Sequence, residues 1–192
     1  VLISKFFGER EQKVKKTKRE PRYWLIKSEA NVFSIDDLKR SKRTRWEGVR
    51  NYQARNFMMR EMNLGDQVLF YHSNANPSGI VGVAEVSAPH QPDPTALQIG
   101  SDYFEPRANL DNPIWYCVEI AFKCKFPILM SLDFLRQIPE LSEMMVLRKG
   151  SRLSIQPVSQ EEFQTIVAHS TNKPSGVAGR EVAIKKIKGK NI

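Results

Sequence analysis

From Ile114 to Phe126 the chain alternates with a period of two. Ile114, Tyr116, Val118, Ile120, Phe122 and Cys124 fall on one side, and Glu119, Lys123 and Lys125 on the other. Successive side chains of a strand point to opposite faces, so this run predicts a strand with one face in a core and one in water. A half-wet strand belongs to an antiparallel or mixed sheet rather than to a doubly covered parallel one. Every other element of the chain has to be compatible with such a sheet.

The remaining strands are shorter. Tyr23 to Lys27 is aromatic and β-branched enough for one. Gln67 to Ser73 places Val68, Phe70 and His72 on one face and Leu69, Tyr71 and Ser73 on the other. A polar turn with Pro77 and Gly79 joins it to a strand over Ile80 to Val86, making a hairpin, and Arg152 to Gln156 reads as a closing strand. Residues 87–113, rich in Pro and Gly, read as a long surface excursion of the kind that borders binding sites.

Helices are few. Ser34 with Asp37 three positions on is a capping-box start for a short one, and a basic loop then runs to Trp46. From Asn51 to Met62 the residues Ala54, Phe57, Met58 and Met62 recur at helical spacing, leaving Gln53, Asn56 and Arg60 on the other side. Ser131 to Arg136 reads as a helical turn. Pro157 and the Ser159/Glu162 capping box launch a last helix that packs Phe163, Ile166 and Val167 inward. Together these predict an α+β domain: a curled sheet with short peripheral helices.

At 192 residues the chain accommodates one domain, at 23–170, flanked by tails at 1–22 and 171–192. The tails hold fourteen Lys/Arg against four acids, whereas 23–170 holds sixteen against seventeen, so the net charge of +9 resides in the tails. Rich in Lys and poor in large apolar residues, the tails are expected to be disordered. The runs Lys15 to Arg19 and Lys185 to Lys188 read as nuclear addresses or electrostatic anchors. Within the neutral middle, Lys39 to Arg60 has eight basic residues and only Glu47 as an acid. Such asymmetry is the footprint of a phosphate-backbone contact, or of a merely solvated charged face.

The sequence argues against several classes of function. His72, His90 and His169 are scattered and no cysteine pair has zinc-ligand spacing, so no metal is expected. No Gly-rich phosphate loop and no Gly-x-Ser-x-Gly elbow occurs, so neither cofactor nor catalytic nucleophile is expected. Asp36-Asp37 and Glu161-Glu162 sit at helix starts, where they complement the macrodipole. No apolar run is long enough for a membrane span. Cys117 and Cys124 are seven positions apart on one strand, hence on opposite faces and unbridged, which suits a reducing compartment. A start at Val1 without an initiator Met suggests a beginning inside a longer product. Neither heptads nor a long apolar edge is present, so a monomer is expected.

What remains is a group of polar and aromatic residues at strand ends and loops: Lys27-Ser28-Glu29, Trp46 to Asn51, and Tyr71-His72-Ser73. They suit recognition of one nucleobase flipped out of its stack. A base needs an aromatic platform, contributing about 1–3 kcal/mol, which Trp46 supplies. Asn51, Ser28 and Ser73 supply edge contacts; Val49, Tyr71 and His72 complete the pocket; Arg50, Arg55 and Lys27 reach flanking phosphates. Arg43, Arg45 and Arg60 extend the backbone contact. Plainer readings exist: Trp46 packing on the barrel, Asn51 capping its helix, His72 as a hydrogen-bonded core histidine.

Five strings carry a family resemblance: Trp24 to Glu29 (WLIKSE), Trp46 to Phe57 (WEGVRNYQARNF), Phe70 to Asn74 (FYHSN), Asp111-Asn112-Pro113 with Trp115, and Leu153 to Pro157 (LSIQP). Over Tyr23 to Val167 the sequence resembles the EVE domain family, and within it the thymocyte nuclear protein group. The resemblance implies a PUA-like barrel, distantly related to YTH domains, which Gly79 to Val86 also resembles and in which a Trp at the place of Trp46 forms a wall of an aromatic cage. It further implies binding of modified bases without chemistry, modified cytosine in DNA being favoured over RNA, and a nuclear setting. Ala30 and Glu47 depart from the family's usual Pro and Asp. Two competing readings are a hydrolase of modified nucleosides, like the related ASCH domains, built on Lys27, Glu29 and His72, and a protein-interaction module using the 87–113 excursion.

Overall fold

Strand β1 (Tyr23–Glu29) buries Trp24, Leu25 and Ile26 completely or nearly so, and it lies between β3 (Gln67–Ser73), parallel to it, and β6 (Ile155–Val158), antiparallel. The computed structural model describes residues 19–171. Among these, β2 (Arg43–Trp46), β4 (Gly79–Pro92) and β5 (Tyr116–Ser131) complete a six-stranded mixed sheet in the order β2-β5-β4-β3-β1-β6. The helices α1 (Ile35–Ser41), α2 (Tyr52–Arg60), α3 (Leu132–Leu135) and α4 (Gln160–Thr171) are short and peripheral. The α+β curled sheet expected from the sequence is the fold observed.

Both faces of the sheet are covered. Trp24, Ile26, Val68 and Phe70 pack with Ile35 and Leu38 of α1 and with Ala54 and Met58 of α2. On the opposite face Leu25, Leu69 and Tyr71 pack with Leu135 of α3 and Ile166 of α4. The alternation along β1 and β3 therefore feeds two apolar clusters, one per face. Both capping boxes form: Ser34 and Asp37 exchange bonds at α1, as Ser159 and Glu162 do at α4.

Several boundaries differ from expectation, each for a local reason. The basic loop before Trp46 contains β2, whose Thr44 and Trp46 turn inward while Arg43 and Arg45 stay exposed, so its period-two pattern is hidden among charges. The second hairpin arm runs on to Pro92, and the excursion begins only at Asp93. Strand β5 starts at Tyr116 and continues to Ser131. Val83 pairs with Cys124 but Ala84 with Phe122, so Lys123 is an inserted residue and the faces exchange beyond it. Cys124 is consequently exposed and Phe126 buried, the reverse of simple alternation for Cys124; Cys117 is buried, and both thiols are free. Burial pushes the Cys117 thiol up to about 12, which leaves it unreactive. The closing strand is Ile155–Val158, and Pro157 sits in it rather than opening α4. Proline is tolerated there because β6 is a sheet edge, bonded only to β1.

The N-terminal boundary is set by Asp66, which is 1% exposed. Its carboxylate accepts from Trp24 Nε1 at 3.0 Å, Arg22 N at 2.9 Å, Asn63 N at 3.0 Å and Arg19 Nη2 at 3.0 Å. Arg19 and Arg22, assigned to the tail by composition, are thus tied to the domain. The expected tail disorder and the two Lys runs otherwise fall outside the described residues.

Candidate functional site

Trp46 ends β2 and is separated from β1 in the sheet order by β5, β4 and β3, yet Trp46 and Ser28 line the same hollow of about 540 Å³. The sheet therefore curls until its rims approach each other. The loop after Trp46, the turn after β1 with Phe33, Tyr103 of the excursion, and Ser154 before β6 complete the walls.

The indole of Trp46 is half-buried. It stands nearly perpendicular to Phe70, at 5.7 Å and 83° between rings, and to Phe33, at 6.5 Å and 72°. Such edge contacts fix the orientation of the indole while it still borders open space. The loop that follows is held by Asp93, whose side chain is fully buried. Asp93 accepts from Gly48 N at 2.9 Å, Arg50 Nη1 at 2.8 Å, Thr95 N at 2.9 Å and Thr95 Oγ1 at 2.7 Å. Burial alone would raise this carboxyl, but the bonds from Arg50, Thr95 and Gly48 outweigh it and hold it below the ordinary carboxylate value. Gly48 has a φ of +75°, which strains any residue with a Cβ, and a Cβ there would lie 2.9 Å from Tyr103 Cε2 and push that ring aside. Arg50 also donates to the Tyr103 carbonyl and lies over the rings of Tyr103 and Trp115.

Of the residues singled out from sequence, Lys27, Ser28, Trp46, Val49, Arg50 and Arg45 line this hollow. Asn51, Tyr71, His72 and Ser73 do not. Asn51 is the N-cap of α2, its side chain accepting from Gln53 N and Ala54 N. Tyr71, His72 and Ser73 are consecutive in a strand and cannot all face one cavity. Tyr71 and Ser73 border a separate hollow with Lys27 on the other face. His72 points the right way but its Nε2 accepts from Ile35 N at 3.1 Å, which makes it a neutral ring that fixes the start of α1. Arg55 is engaged with Asn56 Oδ1, the Ile114 carbonyl and the Tyr52 ring. Arg43 lies 3.6 Å from Glu119, and Arg60 is exposed on α2; neither lines the hollow. Phe33, Tyr103, Ser154 and Asp93 were missed, although Tyr103 and Asp93 lie in the excursion flagged as a site border and Ser154 in a string that carried the resemblance.

The imidazole of His72 is depressed below 6.5 chiefly by burial, with Lys125 adding to the effect and Asp36 opposing it. The folded state thus prefers the neutral ring. Its contribution to stability is complete above about pH 6.5 and is lost as pH falls through the lower folded value. Thermal unfolding measured from about pH 7.5 to about pH 5 is expected to show a decline in Tm for wild type that is shallower in His72→Gln, whose carbonyl still accepts but does not titrate.

The hollow is of a size common for small-ligand sites. Its charges are mixed: Lys27 donates to the Ser151 carbonyl at 2.7 Å, Glu29 accepts from Asn74, Arg50 is paired with Asp93, and Arg45 has no carboxylate partner among the described residues. No group of three or more His, Cys, Asp or Glu converges as metal ligands would, among the described residues. Nor is any described helix long and apolar enough to cross a membrane.

A family model described as the EVE domain matches residues 22–169. Thymocyte nuclear protein 1 of Homo sapiens is 36% identical over 171 residues, covering 80% of this chain and 76% of the human protein. A crystal structure of human THYN1 protein in complex with 5-methylcytosine-containing DNA superposes with a TM-score of 0.72 at 36% identity, covering 80% of this chain and 99% of that one. A Pseudomonas syringae protein gives 0.73 at 42% identity, covering 77% and 99%.

Proposed function

This chain belongs to the EVE domain family, and from that premise we propose that it reads DNA in the nucleus by holding one flipped, modified cytosine base in the Trp46 hollow, without altering it chemically. The observation that carries the reading is an indole fixed by two perpendicular rings at the wall of a cavity of about 540 Å³. A flat heterocycle stacked on Trp46 gains the platform energy available to any base, about 1–3 kcal/mol. Discrimination then falls to the polar groups beside it. Ser28 and Ser154 offer hydroxyls, and Arg45 offers a cation for an adjoining phosphate. The human relative crystallised with 5-methylcytosine DNA supports both the partner and the class of base, and the name of that relative supports the nuclear setting.

Fluorescence titration of wild-type protein with matched DNA duplexes, one carrying a single 5-methylcytosine and the other cytosine, tests this directly. A preference of several-fold for the methylated duplex is expected. Equal affinity for the two would sink the base-reading role.

A further inference from the structure

Lys27 borders two cavities. One is the Trp46 hollow; the other, of about 420 Å³, lies against Tyr71, Ser73, Arg136 and the segment Arg148–Arg152. That same segment borders a third depression, of about 290 Å³, together with Gln53. Residues 148–152 thus form a ridge between two depressions, one of which shares Lys27 as a wall with the base hollow.

The ridge is a built feature. Gly150 has a φ of +77°, the left-handed conformation that permits the bend. Lys27 Nζ donates to the Ser151 carbonyl at 2.7 Å, and Lys27 N donates to the Ser154 carbonyl at 2.9 Å. The buried Gln156 donates from Nε2 to Ser151 Oγ at 2.9 Å and to the Leu153 carbonyl at 2.8 Å. The backbone is therefore pinned to β1 and β6 while its cations point outward. Lys149 and Arg152 are exposed and have no carboxylate partner among the described residues, and Arg148 has only the surface residue Glu143, at 3.5 Å. The run Arg148-Lys149-Gly150-Ser151-Arg152 contains no acid.

Unengaged cations on an anchored loop, adjoining a base-sized hollow, are what a polyanion needs in order to be held in one register. By contrast, Arg50 and Arg55 are tied to protein acceptors, which leaves Arg45 as the one arginine of the hollow's wall without a carboxylate partner among the described residues. We propose that the 148–152 ridge seats the phosphates adjoining the nucleotide whose base enters the Trp46 hollow, with Lys149 and Arg152 making the contacts. This rests on the base-reading role but is tested apart from it.

The experiment titrates wild type and the Lys149→Ala/Arg152→Ala double variant with the methylated duplex and its unmethylated twin over a series of salt concentrations. Both side chains are exposed, so the fold is retained. The double variant is expected to bind both duplexes about tenfold more weakly or worse near physiological salt, and to lose about two from the slope of log K against log salt, while the ratio between the twins is preserved. An unchanged slope overturns the assignment. So does a reduced slope accompanied by loss of the methyl preference, because the residues would then belong to the base site. If wild type itself shows no methyl preference yet the slope still falls, the base-reading role fails and the phosphate seat stands.

Discussion

Trp46→Ala is expected to bind a 5-methylcytosine duplex about ten- to a hundredfold more weakly than wild type, and to lose the preference over the unmethylated twin. The size follows from the stacking energy of one base on one aromatic ring, about 1–3 kcal/mol. Loss of preference follows from geometry: the indole is braced by Phe33 and Phe70, so its removal erases both the platform and the wall that sets the depth of the cavity. Trp46→Phe, which keeps a ring, should recover part of the affinity. The salt dependence should stay at its wild-type value in both variants, because no phosphate contact is removed. Fluorescence anisotropy with labelled duplexes measures all three quantities. Undiminished binding by Trp46→Ala would show that the ring serves packing alone.

Asp93→Ala is expected to cost about 3–5 kcal/mol of stability, read as a lowered urea midpoint, and to weaken binding of the methylated duplex in the same protein. The carboxylate has no exposed surface and satisfies Gly48 N, Arg50 and Thr95 together, so its deletion strands several donors at once. One of them is the guanidinium of Arg50, only 23% exposed. Asp133→Ala provides the contrast: its pair with Arg136 is on the surface, and its loss should cost less than about 1 kcal/mol. Because the carboxyl of Asp93 is held below 3.8, its contribution is present above that pH and is lost as pH falls through the lower folded value. The binding defect arises because Gly48 and Arg50 lie in the loop that follows Trp46, and that loop is free to shift once its anchor is gone.

The sheet was legible because β1 and β3, covered on both faces, are short apolar runs bounded by polar residues, and the first half of β5 alternates. Strand β2 was not legible, since its inward members, Thr44 and Trp46, alternate with two arginines in a basic stretch. The exchange of faces at Lys123 was invisible for a different reason: an inserted residue is defined by what the neighbouring strand does, and no local pattern carries that. In the site, Trp46, Ser28 and Lys27 were found because strand ends leave side chains free to converge. Taking Tyr71, His72 and Ser73 as one cluster ignored their alternation, which sends Tyr71 to the far cluster and leaves His72 bonded to Ile35. Asp93 was beyond reach for yet another reason. Its bonds from Thr95 are local, but the donors that tie it to the site, Gly48 N and Arg50, lie more than forty positions away in the chain.

The curl that brings Trp46 of β2 beside Ser28 and Ser154 has a consequence for how occupancy and integrity are connected. The two rims meet only when every intervening strand is in register, so the cavity is a property of the whole sheet and no excised peptide can carry it. In the proposed role, a nucleotide held there acts as a clasp across the seam. It withdraws molecules from every partly opened form at once, and tight occupancy delays melting of parts of the domain that never touch the DNA.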